Sequence, residues 1–481
     1  MLPSAAELVA RFLKSNGYTK TLATFTDEAG LPVDIGGGNS DITIEKILQE
    51  KKTFDLSLNF EKLGVDVKDR EWQSDGEFQN VALTISLIAI APSKPLVLDS
   101  MPRSNILSVS VLDLALPTSS KSQSYFAATT ADRRLHLIDP GSNPPYAVQS
   151  YSSFQDSPIL DLATFRSRYL LAASMSGKLL LYDTRTDQVL DQRKDHSKYV
   201  VKLAVWSMES SVLVATAGWD AKVFLYCIST DRDDLQLGDP IATMSFPTIP
   251  ETLLFIRSPE KSHPILLLTR RDSTCLYYYT ISSVGSDRSN ISLLGKQNLA
   301  PHSNAWVAFT PSDVQTCPVD PSIVAVATSS TPHMKLLIVK LLIPPEETSS
   351  SHMNQDLDPG PVTQASQARA NLLLQDREEA AIMVNVSTMA PQTPYSTPRL
   401  VWRPDGSGIY VSSDDGIVRG FEANTGKLAA ALEAHQSGSK LRCLWAGRVK
   451  VDSGNTAVIT PEEEILLSGG FDQKLILWKT V

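Results

Sequence analysis

The chain is poor in cysteine: Cys227, Cys275, Cys317 and Cys443 are the four in 481 residues. They stand 42 to 126 residues apart, so no C-x-x-C pair exists. That excludes zinc ribbons and a small disulfide scaffold, and it fits a reducing compartment. Long apolar runs are missing too. The longest without a charge, Val81 to Pro92, is about twelve residues, against the ~20 that a membrane-spanning helix requires. It reads as a buried strand. The start, MLPSAAELVARF, has no apolar core of a signal peptide, so none is expected. There is no excess of positive charge: 44 Lys and Arg face 53 Asp and Glu, a net charge of −9. Such a chain has no global electrostatic reason to bind nucleic acid, whose affinity comes mostly from cations on phosphates. Catalytic signatures are absent as well: no G-x-S-x-G, no H-E-x-x-H and no glycine-rich phosphate loop. Gly36-Gly37-Gly38 has no strand before it and no Lys after it, and reads as a flexible joint. The seven histidines lack metal-ligand spacing. Asp233-Asp234 and Asp414-Asp415 read as turn residues. No enzyme activity, cofactor or metal is expected. With 42 % apolar and 20 % charged residues, the chain has material for a core and is neither disordered nor fibrous.

The first 80 residues carry helical periodicity and nine basic against fourteen acidic side chains, so over half the net charge sits in a sixth of the length. Leu8, Phe12 and Leu13 fall on one face of a first helix, with Ser4 and Glu7 spaced as a capping box and Gly17 at its end. A second helix turns Thr21, Leu22 and Phe25 inward and ends at Gly30. So small a hairpin cannot bury both faces alone. A copy of itself is the simplest partner, because a two-fold interface is self-complementary.

The run Leu8-Val9-x-x-Phe12-Leu13-x-x-x-Gly17-Tyr18-x-x-Thr21-Leu22-x-x-Phe25-x-x-Glu28-Ala29 resembles a LisH motif. The resemblance implies a dimerisation element over residues 1–35, with Tyr18 and Phe25 in the interface core and Leu8, Phe12 and Leu13 on the same face. The alternative is a hairpin packed on the rest of its own chain. Residues 36–80 are expected to add a helical extension and linker. Ser40 caps one short helix bearing Ile44, Ile47 and Leu48, and another carries Phe54, Leu58 and Phe60 up to Gly64. This stretch is loosely similar to a CTLH segment.

From Val81 the period changes to short apolar runs bounded by Asp, Gly, Pro and Ser, the pattern of many antiparallel strands. One strand–turn–strand frame recurs, at Phe126–Ile138, Tyr169–Asp183, Ser211–Tyr226, Ile409–Phe421 and Glu464–Trp478. These frames resemble WD40 repeats. The fold class implied is mainly β: a seven-bladed WD40-type β-propeller over residues 81–481, behind a small α-helical module. Innermost strands are expected to begin near Leu107, Ile159, Val200, Glu251, Ala305, Arg399 and Leu441. The last blade has three strands left before the end, so residues 81–90 are expected to supply its fourth and close the ring. The resemblance also implies structural tetrads of His, Ser or Thr, Asp and Trp. One set is complete, His435, Ser468, Asp472 and Trp478. A second has His196, Thr216 and Asp220, with Tyr226 in the Trp position. These residues hold turns and are not expected to be catalytic.

Residues 344–378 begin rich in Pro, Ser, Gln and Asp and become helix-prone near Ala368. They are expected to be a flexible insertion between the third and fourth strands of blade five. Tyr182, Asp183 and Arg185 end a frame that looks like the box by which some WD40 proteins dock on the propeller adaptor of cullin-RING ubiquitin ligases. That resemblance implies an exposed Arg making charge-assisted hydrogen bonds. The alternative is a common repeat ending. Converging charges at a central channel are not visible in the sequence. The function expected is a protein-interaction scaffold, a homodimer through the N-terminal helices with protein partners on the propeller, inside the cell in nucleus or cytoplasm. A substrate-recognition subunit of a ubiquitin ligase is the alternative.

Overall fold

A computed structural model describes residues 5–32, 91–117, 122–142, 144–152, 155–231, 235–259, 263–282, 290–302, 309–345, 364–450 and 462–480. The chain divides into two units, Met1–Asp69 and Arg70–Val481. In the first, helices α1 (Ala5–Ser15) and α2 (Thr19–Glu28) form a hairpin. Gly17 and Gly30 close them at φ +76° and +62°. The Tyr18 amide reaches back to the Leu13 carbonyl at 2.9 Å, and that of Leu31 to Thr26 at 2.9 Å. Both are six-to-one closures that need a left-handed residue, which glycine adopts without a Cβ clash. Ser4, the expected cap, and the helices and linker expected over 36–80 lie outside the described residues.

The second unit is a ring of seven four-stranded antiparallel sheets. The innermost strands are β2 (Ile106–Leu114), β6 (Ile159–Phe165), β10 (Val200–Ser207), β14 (Pro250–Arg257), β18 (Pro311–Thr316), β22 (Leu400–Trp402) and β26 (Leu441–Lys450). Six start within one residue of the expected places. The fifth begins at Pro311 instead of near Ala305. A proline fits the first position of a strand, where no ladder bond needs its missing N–H. Seven apolar clusters fill the ring, each shared by two consecutive blades. The last joins Ile106, Phe126 and Ile138 of the first blade to Leu467, Leu475 and Leu477 of the seventh.

The seventh blade runs β26, β27 (Glu462–Gly470) and β28 (Leu475–Lys479), and its fourth strand is β1 (Lys94–Val97). Lys94 pairs Lys479 and Val97 pairs Ile476. Residues 81–90, expected in that role, lie outside the described residues; the segment that closes the ring follows them. An outermost strand is half exposed, so a short run containing Pro95 serves, and apolarity is a poor guide to it.

Blade five holds the insertion between its third strand, β20 (His333–Lys340), and its fourth, β21 (Ile382–Pro391). Helix α3 (Gln364–Ala380) occupies its second half. Buried Glu378 anchors the helix end by accepting from the Asn298 amide at 2.7 Å.

Candidate functional site

The complete tetrad lies where the repeat frame puts it. His435 precedes β26, Ser468 is on β27, Asp472 is in the following turn and Trp478 is on β28. Trp478 Nε1–H donates to Ser468 Oγ at 2.8 Å. His435 Nε2 lies 2.7 Å from the same hydroxyl, and its Nδ1 is 2.8 Å from Asp472 Oδ2. The Gln436 amide also donates to Asp472 Oδ2, at 3.1 Å. Asp472 titrates below the ordinary carboxylate range: burial alone would raise it, but the His435 contact and these amide donors outweigh burial.

The second set shares the first three members. His196 Nε2 is 2.9 Å from Thr216 Oγ1 and Nδ1 is 2.9 Å from Asp220 Oδ1. Tyr226 takes the tryptophan's position, paired with Val214 as Trp478 is with Leu466, and its hydroxyl donates to Asp195 Oδ2 at 2.9 Å. Burial holds His196 below its ordinary pKa, against the pull of Asp220. Both sets tie a loop between blades to a turn within one; Asp472 also borders a surface cavity, with its carboxylate turned to His435.

The docking box is spent differently. Tyr182 is buried, and its hydroxyl donates to Asp187. Asp183 is buried under a bidentate Arg168, at 2.9 and 2.6 Å, and accepts the Arg185 amide at 3.0 Å. Only the Arg185 side chain of the three is exposed. In the helical unit, Leu8, Phe12, Leu13 and Phe25 are half-buried, and Tyr18 is 53 % exposed.

The central channel holds what the sequence reading missed. In six blades the innermost strand slips register at its second residue: between Ile106 and Ser108, Ile159 and Asp161, Val200 and Lys202, Pro250 and Thr252, Pro311 and Asp313, and Leu441 and Cys443. A bulge there re-aims the side chains at the mouth of the ring. Asp161, Lys202, Asp313 and Arg442 thereby line a cavity of about 250 Å³, joined by Arg399 just before the innermost strand of the blade without a slip, and Glu251 lies close enough to feel Arg399 and Lys202. Lys202 Nζ is 3.1 Å and Arg399 Nη1 3.4 Å from Asp313 Oδ1. Asp161 accepts the Leu203 amide of the next blade at 2.8 Å, and Asp313 that of Leu400 at 3.1 Å. Burial raises Asp161 despite Lys202 and Arg399. Burial lowers Arg442, and the like charge of Arg399 adds to it. The Cys443 thiol is pushed up to about 12, so it is not a thiolate at neutral pH. The signal available in sequence was a charged residue one or two places after the innermost strand begins in five of the blades: Asp161, Lys202, Glu251, Asp313 and Arg442.

Among the described residues no group of three or more His, Cys, Asp or Glu is placed to hold a metal, and no helix is long and apolar enough to cross a membrane. A family model described as UCP007778, beta-propeller domain, matches residues 110–450, and one described as UCP007778, LisH domain, matches residues 6–33. Among solved structures, the crystal structure of the Saccharomyces cerevisiae Sqt1 is similar, at 13 % identity and a TM-score of 0.51, over 81 % of this chain and 100 % of that one. At that identity the likeness shows the fold alone. No curated protein matches the chain.

Proposed function

Since this chain belongs to the UCP007778 family, with its LisH and beta-propeller domains, we propose that it is a non-catalytic scaffold: a dimer through the N-terminal hairpin that presents two propellers to protein partners inside the cell. The observation that carries the reading is the open apolar face of the hairpin. Leu8, Phe12, Leu13 and Phe25 stay half-buried, and the Tyr18 ring stands 6.5 Å from that of Phe12 with over half its surface exposed. A second copy covers such a face symmetrically. Two linked propellers then gain avidity, because the second contact forms at a high effective concentration. The four cysteines are all free, as a reducing compartment would leave them.

Light scattering tests the dimer. The full chain is expected to run as a dimer at tens of micromolar, and Phe25→Asp as a monomer with an unchanged melting temperature. A wild-type chain that stays monomeric there overturns the reading. One observation favours a ubiquitin-ligase role for the same scaffold: the exposed Arg185 sits on a turn that Asp183 fixes. Association with a purified ligase adaptor, unaltered by Arg185→Ala, would dismiss it.

A further inference from the structure

Arg442 is the residue that the bulge of β26 inserts, and it borders two cavities, the channel and a second of about 500 Å³ on the surface beside it. Its Nη1–H donates to Thr397 Oγ1 at 3.1 Å, and the guanidinium lies 5.7 Å from the centre of the Phe471 ring. Both partners are neutral. Among the described residues no carboxylate pairs with it, whereas Arg168, Arg271, Arg399, Arg403 and Arg419 each hold one. A cation drawn partly out of water without a counter-charge is costly. The outer cavity is lined by Tyr395, 87 % exposed, and by Lys440, Arg442 and Phe471. Lys440 Nζ lies 3.0 Å from Thr393 Oγ1 and 3.1 Å from Asp414. The cavity's one carboxylate, Asp472, is buried and committed to His435. One guanidinium without a carboxylate partner, a lysine already paired with Asp414, and two aromatic rings therefore face an opening whose only acidic group is engaged. Arginine and tyrosine are the residue types that most often dominate protein interfaces.

We propose that this cavity is a docking site for an acidic segment of a partner protein, with one carboxylate side chain on Arg442 and the flanking chain against Phe471 and Tyr395. The planar guanidinium grips a carboxylate with two parallel hydrogen bonds. The proposal rests on the platform reading and says where on the platform a partner is held.

Fluorescence polarisation of a dye-labelled hexaglutamate peptide with the full chain tests it. The wild type is expected to bind hexaglutamate and not the matching hexaserine peptide. Arg442→Gln should weaken binding at least about tenfold, the scale of one charge-assisted pair. Phe471→Ala should weaken it less, and Arg257→Gln, an exposed cation at the far end of β14, should leave it unchanged. Circular dichroism shows whether each variant is folded; should Arg442→Gln not fold, Phe471→Ala and Lys440→Gln decide. Equal affinity in the wild type and folded Arg442→Gln overturns the site, as does an equal loss in Arg257→Gln. Phe25→Asp is expected to bind the peptide as the wild type does, so a failed dimer and a failed site are told apart.

Discussion

Trp478 Nε1–H can only donate, and that orders the polar set around it. Ser468 Oγ accepts from the indole and also meets His435 Nε2, while His435 Nδ1 meets Asp472, so one hydroxyl joins three members of the set. Removing Ser468 strands two buried groups at once. Ser468→Ala is expected to lower stability by about 2–6 kcal/mol, at 1–3 for each stranded group, and Tyr226→Phe, which deprives Asp195 of one donor, by about 1. Thermal unfolding of the two variants checks the ranking. The tetrads were legible in the sequence because their members keep fixed spacings within a repeat. Arg442, Asp161 and Asp313 were not, because a charged residue near a strand's start looks like any turn residue until a bulge places it at the channel. The Asp195 partner of Tyr226 was not legible for a related reason: it sits next to His196 on another loop.

Among the elements, β1 is short for its task. Four residues cover the edge of β28, flanked by the Ser93 amide on the Lys479 carbonyl at 3.0 Å and that of Leu98 on Leu475 at 2.9 Å. Leu98 is buried in the cluster shared by the first and seventh blades. Leu98→Ala is expected to cost about 2–4 kcal/mol and to speed hydrogen exchange at the Ser93 and Leu98 amides ahead of the other blades. Mass-resolved exchange measures it; uniform acceleration around the ring would show that closure is not a separate step. The strands read from sequence were those buried on both faces, as in Leu170–Ala173 of blade two. Beginnings marked by proline and the exposed outermost strand were shifted or missed, because neither carries a run of apolar residues.

For the whole molecule, the buried histidines and the depressed carboxylates make acid destabilising, while Asp161, Glu251, Glu378 and Glu464, raised by burial, act in the opposite sense. A histidine whose folded pKa lies below its unfolded value of ~6.5 stabilises the fold above that value, and the contribution is lost as pH falls below it. The depressed carboxylates Asp183, Asp220, Asp415 and Asp472 act in the same sense at lower pH. The melting temperature is therefore expected to fall from about pH 6.5 downward as His196 and the likewise buried His136 are engaged, and to fall further as these carboxylates protonate; a His196→Asn variant should shrink the first of these steps and keep the second. The net charge of −9 predicts none of this, since it counts the same groups without their surroundings. Ring closure also sets an order in time. Lys94–Val97 leaves the ribosome roughly 380 residues before its partner, a delay of about 20–75 s at ordinary synthesis rates. Six blades can form while that strand waits unpaired, and the seventh is finished only when Leu475–Lys479 emerge. A ribosome stalled anywhere before Leu475 thus holds an open ring, its first strand presented to whatever chaperone or neighbouring chain arrives first.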